Sequence, residues 1–271
     1  MRLVLVVPAI LLVTAALIPV QWIAVRLGLP LRRKIPTVYH RLMCRLVGVR
    51  LTVIGRAHDA RPLMIVANHV SWLDISVITA VAPVVFVAKA EVAGWPLFGL
   101  LARLQRSVFV DRRRRQQTGA VNAAIAQRLS DGDPVVLFGE GTSGDGNRVL
   151  PFRTALIGAA REALGAGQAW LQPLSLAYTG LLGLPLGRQH RPRVAWYGDF
   201  EMLPHLVGIL KSGGVDVTVT WGEAVAVDAG ADRKAAARRL EDSVRRTTAL
   251  ALRGRAAQPA GAQRESAAAP P

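Results

Sequence analysis

Several things are scarce in this chain of 271 residues, and each scarcity removes a class of function. There is one cysteine, Cys44, so no disulfide closes within the chain and no cysteine cluster holds zinc. A reducing, cytosol-facing compartment is therefore allowed. Aromatic residues make up 6%, and no zinc-finger, RNP or helix-turn-helix pattern occurs, which removes the usual equipment for reading nucleic acid. There is no G-x-x-x-x-G-K-[ST] and no H-E-x-x-H, and Gly141-Thr142-Ser143-Gly144 is not a nucleophile elbow. Acidic residues are few, 18 against 34 basic ones, leaving a net charge of +16. What is abundant is apolar: 51% of residues are hydrophobic and the mean hydropathy is +0.30. Strong positive charge on a greasy chain points to an anionic, apolar surface, which is a membrane face rather than nucleic acid.

The longest absence of charge runs from Leu3 to Val25, 23 positions that as a helix would cross a hydrocarbon core of roughly 30 Å. The run is too long for the apolar region of a secretory signal, and no small-x-small cleavage site follows it. Pro8 and Pro19 are expected to bend it, so it either spans the membrane or re-enters as an interfacial helix pair. Only Arg2 precedes it, whereas Arg26, Arg32, Arg33, Lys34, Arg41, Arg45, Arg50, Arg56 and Arg61 follow, opposed by Asp59 alone. The positive-inside rule puts the body in the cytoplasm, against the inner membrane. The expected layout is an anchor over 1–25, a basic membrane-facing connector over 26–48, a catalytic domain over 49–252 and a disordered tail over 253–271.

Beyond the connector, short β-type runs alternate with helical ones. Val49–Ile54 alternates, Leu63–Ala67 is continuously apolar, and Val84–Val87, Val108–Val110, Val135–Phe138, Trp170–Ala177, Val194–Tyr197 and Val215–Trp221 complete the expected strands. Helices are expected over Ile75–Val81, Thr118–Leu129, Thr154–Leu164 and Asp232–Leu252. This grammar predicts an α/β domain, a single mixed or parallel sheet flanked by helices, behind an N-terminal membrane-embedded helical segment.

Two loops carry the chemistry. Asn68-His69-Val70-Ser71-Trp72-Leu73-Asp74 leaves a buried strand and enters a helix, the place where α/β sheets hold ligands. His69 and Asp74 are five apart and would diverge by about 140° on one helix, so they meet only if the helix begins between them. Ser71 as N-cap makes Asp74 the third helical residue, able to turn back towards the imidazole. Such a pair suits general-base catalysis, with the carboxylate fixing the tautomer of the histidine. Ser71-x-x-Asp74 is equally a capping box, in which Asp74 only satisfies a backbone N–H. The second loop, Phe138-Gly139-Glu140-Gly141-Thr142-Ser143-Gly144-Asp145-Gly146, also follows a buried strand, and both are expected to open on one sheet edge.

These residues resemble the glycerolipid acyltransferases of the 1-acylglycerol-3-phosphate acyltransferase type. The motif N-H-x-S-x-x-D is matched by Asn68, His69, Ser71 and Asp74. G-x-x-F-x-x-R resembles Arg106 to Arg112, with Arg106 in place of the glycine; F-P-E-G-T-R-S resembles Phe138 to Ser143, with Gly139 for proline and no arginine after Thr142; the proline-bearing strand resembles Leu171-Gln172-Pro173-Leu174. The resemblance covers roughly 45–225. It implies that His69 deprotonates an acceptor hydroxyl for attack on an acyl thioester, that Asp74 orients it, and that Arg112, Glu140, Gly141 and Thr142 hold the acceptor headgroup. Taken alone, Glu140 also reads as a loop carboxylate bonded to nearby N–H groups. The implied partners are acyl-carrier protein or acyl-CoA as donor, a lysolipid acceptor and an anionic membrane, with no cofactor and no metal. The stretch Glu140–Phe152, with Ala195–Asp199 and Leu203-Pro204-His205, looks like the lyso-ornithine lipid branch, where Arg148 or Arg153 stands in for the missing cation.

Overall fold

The computed structural model describes residues 2–111, 118–153, 168–228 and 232–255. Arg112, the helix expected over Thr154–Leu164 and the end of the tail lie outside the described residues. The chain opens with a helical hairpin, α1 (Arg2–Arg26) and α2 (Leu31–Val47). Strand β1 (Val49–Ile54) follows, then β2 (Leu63–Ala67), α3 (Leu73–Val81), β3 (Val85–Lys89), α4 (Phe98–Leu104), β4 (Val108–Val110), α5 (Thr118–Ser130) and β5 (Val135–Phe138). The long β6 (Ala169–Leu181), the two-residue β7 (Leu184–Pro185), α6 (Met202–Ser212), β8 (Val215–Trp221), β9 (Val225–Val227) and α7 (Arg233–Leu252) complete the described strands and α-helices.

The strands form one mixed sheet in the order β1-β8-β6-β2-β5-β3-β4, with β7 and β9 added to β6. β2 pairs in parallel with β5 and β6, and β5 continues in parallel to β3 and β3 to β4. β8 runs antiparallel to β6, and β1 follows β8 in parallel. Every residue of β2 is fully buried, the reason it reads as an unbroken apolar run rather than an alternating one. Alternate side chains feed two separate cores. Leu63, Ile65 and Ala67 face α2, α3 and α6, whereas Met64 and Val66 face α5 and α7. The sheet is thus covered on both faces.

One expected strand is absent. Val194–Tyr197 follows a short 3₁₀ turn (Arg191–Arg193) without joining the sheet, and the Trp196 N–H donates to the Val70 carbonyl at 2.9 Å instead of to a ladder. The segment's apolar residues are buried because it packs under the β2–α3 loop, not because it is a strand.

The first helix of the hairpin is inverted relative to a soluble amphipathic helix. Along α1 the polar residues Arg2, Thr14 and Gln21 point inward, while Val4, Leu5, Pro8, Leu11, Leu12, Ala15, Ala16, Pro19 and Val20 are exposed, repeating every three or four residues, with Trp22 and Ile23 exposed beyond them. The helix continues through Pro8 and Pro19, both on the outward face. Its two ends are bonded to the rest of the molecule. The Arg2 guanidinium donates to the carbonyls of Leu46, Val47 and Leu210, at the C-terminal ends of α2 and α6. Near the other end, Gln21 Nε2 donates to the Leu104 carbonyl at 2.8 Å and the Arg32 carbonyl at 3.0 Å. α1 therefore lies along the side of the α/β body.

Candidate active site

The last residues of β2 and β5, Ala67 and Phe138, are aligned, so the two chemistry-bearing loops leave the sheet side by side. Gly139 N–H donates to the Ala67 carbonyl at 2.9 Å, extending the ladder one step further than a proline would permit. A Cβ at this position would lie 2.7 Å from the Phe152 ring, which fills the space left by the glycine. The loops are then tied across: Gly144 N–H donates to the His69 carbonyl at 2.9 Å.

His69 and Asp74 meet, with Nδ1 2.7 Å from Oδ2. The same Oδ2 accepts the N–H groups of Val70 at 2.7 Å and Ser71 at 3.0 Å, and Oδ1 accepts the Tyr178 hydroxyl at 2.6 Å. Asp74 is fully buried, and four donors surround its carboxylate. The His69 ring stacks on Phe138, centroids 3.9 Å apart, and is partly exposed. With Nδ1 committed to Asp74, Nε2 is the nitrogen left to handle a proton at the surface of the site.

The helix start differs from the expected one. α3 begins at Leu73 with Trp72 in the N-cap position, and Asp74 is its second residue. The Ser71 hydroxyl is buried and has no partner among the described residues. Asp74 itself takes the N–H groups at the turn, which leaves the serine nothing to cap. One carboxylate both closes the turn and grips the imidazole.

Asn68 works as backbone. Its Nδ2 donates to the Leu176 carbonyl at 2.9 Å and its Oδ1 accepts the Leu176 N–H at 2.8 Å, continuing the β2–β6 pairing past the end of β2. Glu140 is buried, with Oε2 accepting the His69 N–H and Oε1 the Leu150 N–H, each at 2.6 Å. Burial pushes its carboxyl up to about 8, against the pull of those two donors. Gly141 is buried and left-handed, φ +69°, and Thr142 is exposed at the loop's rim. Arg148 and Arg153 are exposed on the same stretch, and Arg191 Nη1 donates to Asn147 Oδ1 at 3.1 Å. On the other side, Trp72 Nε1 donates to His205 Nδ1 at 3.0 Å, and burial lowers the His205 pKa.

The sequence pattern does not single out Tyr178. The expected strand stopped at Ala177, whereas β6 runs on to Leu181. A lone tyrosine ending a buried apolar run, whose hydroxyl must find a partner, was the available signal.

The family model described as Acyltransferase matches residues 49–177. The lyso-ornithine lipid O-acyltransferase of Brucella abortus (strain 2308) is 48% identical over 257 residues, 94% of this chain and 96% of that protein. The chain belongs to the acyltransferase family. The lyso-ornithine lipid O-acyltransferase of Rhizobium meliloti (strain 1021) is also 48% identical, over 91% of this chain and 85% of that protein. In fold, this acyltransferase is similar to the crystal structure of the 1-acyl-sn-glycerophosphate (LPA) acyltransferase PlsC from Thermotoga maritima, with a TM-score of 0.63 at 20% identity, covering 95% of this chain and 100% of that one.

Proposed function

We propose that this acyltransferase moves an acyl chain from a thioester, on acyl-carrier protein or coenzyme A, to the hydroxyl of a lysolipid held at the membrane. The observation that carries the mechanism is the His69–Asp74 pair at the mouth of the two loops, Nδ1 gripped and Nε2 left outward. Nε2 takes the proton of the acceptor hydroxyl as its oxygen attacks the thioester carbonyl. The tetrahedral intermediate collapses, the C–S bond breaks, and the imidazolium returns the proton to the leaving thiolate. Buried Asp74 fixes the tautomer and stabilises the imidazolium between the two transfers.

The acceptor we favour is lyso-ornithine lipid. The relatives at 48% identity carry that name, and Ser143 stands where phosphate-using members have an arginine to pair bidentately with glycerol phosphate. Gly141 and Thr142 border the headgroup side, with Arg148 nearby and Arg112 assigned there by its motif position. Both Glu140 oxygens are already taken by backbone N–H groups, so its part is to hold His69 and the loop. The exposed apolar stripe of α1, with both helix ends bonded to the body, supports an interfacial lie against the cytoplasmic face of the inner membrane.

The test is a side-by-side assay of lyso-ornithine lipid and lysophosphatidic acid with both thioester donors. His69→Ala and Asp74→Asn are expected to lower turnover about 100- to 10,000-fold without loss of folding. Full activity of His69→Ala would sink the mechanism; preference for lysophosphatidic acid would overturn the acceptor.

A further inference from the structure

Asp74 is gripped on both sides. Three donors converge on Oδ2, and one of them is the imidazole; Oδ1 receives the hydroxyl of Tyr178 alone among the described residues. Tyr178 comes from β6, 104 residues away in sequence, and is buried at 2% exposure. A carboxylate beside it accepts and does not donate, so the phenol is the donor. Its delivery is built into the sheet. Asn68, at the end of β2, clamps both backbone groups of Leu176, two residues before Tyr178 and on the same side of the strand. Immediately beyond Tyr178 the β6–β8 register shifts, and Gly180 makes room for Asp216, whose carboxylate occupies the space a Cβ would need. A bulge here re-aims side chains where the strand passes the site. The Asn68 and the Asp74 of one loop motif are thus both tied to the same short piece of β6.

We infer that Tyr178 is a positioning residue of the acyl-transfer site, which turns Asp74 Oδ2 onto His69 Nδ1 and sets, through the charge it draws from that carboxylate, how basic His69 is. This rests on the reading of His69 as the base. The phenol shares the negative charge of Asp74. Removing it concentrates that charge on the imidazole side and stabilises the imidazolium. Strengthening the donor does the reverse.

Two replacements test this with opposite signs. Tyr178→Phe is expected to lower kcat on the order of tenfold with KM for donor and acceptor nearly unchanged, since the hydroxyl touches neither. The acid limb of its pH–rate profile is expected to move up by about one pH unit. With 3-fluorotyrosine at 178, nearly isosteric and a stronger donor, the limb is expected to move down. If Tyr178→Phe destabilises the fold too far to assay, the fluorinated protein still reports the limb. Acid limbs that stay put in every variant that folds, whether or not kcat falls, would reduce Tyr178 to a packing role and overturn the inference. His69→Ala keeping its activity would instead remove the base itself, a different failure.

Discussion

Arg106 stands where the resembling motif has glycine, and the backbone explains why glycine would suit: its φ is +63°, in the left-handed region. That conformation costs a residue with a Cβ about 1–2 kcal/mol. The guanidinium offsets it by bridging Asp131 and Asp133 at the turn between α5 and β5, and it is nearly buried there. Asp133 also accepts from Arg33 of α2 at 2.6 Å. Arg106→Gly is therefore expected to relieve strain yet leave a buried carboxylate half-paired, making the protein about 2–4 kcal/mol less stable in denaturant titration. Stability equal to or above the parent's would mean that the strain outweighs the pair. In the sequence, the replacement at 106 was visible but its compensation was not, because Asp131-Gly132-Asp133-Pro134 reads as a helix stop. Glu140 makes a second residue-scale case. Its carboxyl is raised from 4.5 to about 8 by burial, so the folded state favours the protonated form. The stability this gives is present in full below pH 4.5 and is lost as pH rises through about 8. Glu140→Gln, which has no proton to lose, is expected to flatten the fall in melting temperature between about pH 5 and pH 8. An unchanged slope would locate that titration elsewhere.

At the scale of elements, the strands were the legible part, because burial on both faces writes itself as continuous apolar runs such as Leu63–Ala67 and Val135–Phe138. The short helices α4 and α6 were not legible. Phe98-Gly99-Leu100-Leu101 places exposed and buried apolar residues next to each other, and a period of 3.6 does not show in seven residues. Val194–Tyr197 misled for the opposite reason, being apolar and buried without a ladder. The hairpin read as greasy and basic, but the inward turn of its polar residues was hidden, since their partners are carbonyls of distant elements. Arg2 is the sharpest example. Its guanidinium sits against Gly48 and Gly213, the C-cap residues of α2 and α6, at a spacing that leaves no room for a Cβ on either. A cation there answers the negative ends of both helices. Arg2→Ala is expected to loosen the first turns of α1, seen as faster deuterium uptake over 3–10 with little change at Gln21. Uptake unchanged there would mean that Leu3, Val6, Val7 and Ile10 hold the helix end by packing alone.

At the scale of the whole molecule, several of the basic residues behind the charge of +16 are tied by bonds within the molecule. Arg33 pairs with Asp133 and Arg50 with Asp216, while Arg41 donates to the Ala80 carbonyl at the end of α3 and Arg61 to carbonyls of its own loop. Some of the basic residues between Arg26 and Arg61 are thus held by partners within the molecule, a distinction that counting charges does not make. Lys34 and Arg45 remain on the outward face of α2, beside exposed Leu31 and Val38. Attachment should accordingly depend more on the apolar stripe of α1 than on charge. Exposed ion contacts weaken as the screening length falls from about 10 Å at 0.1 M salt to about 3 Å at 1 M, whereas burial of apolar surface does not. The protein is expected to stay on vesicles of neutral lipid at 1 M sodium chloride. Replacing Leu5 and Leu12 by Asp should release it, each carboxylate costing up to about 3 kcal/mol against hydrocarbon. Because both positions point away from the body, the melting temperature should hardly change, so release cannot be blamed on unfolding. Release by salt alone, with the double variant still bound at low salt, would return the attachment to the basic residues and leave α1 as a covering helix.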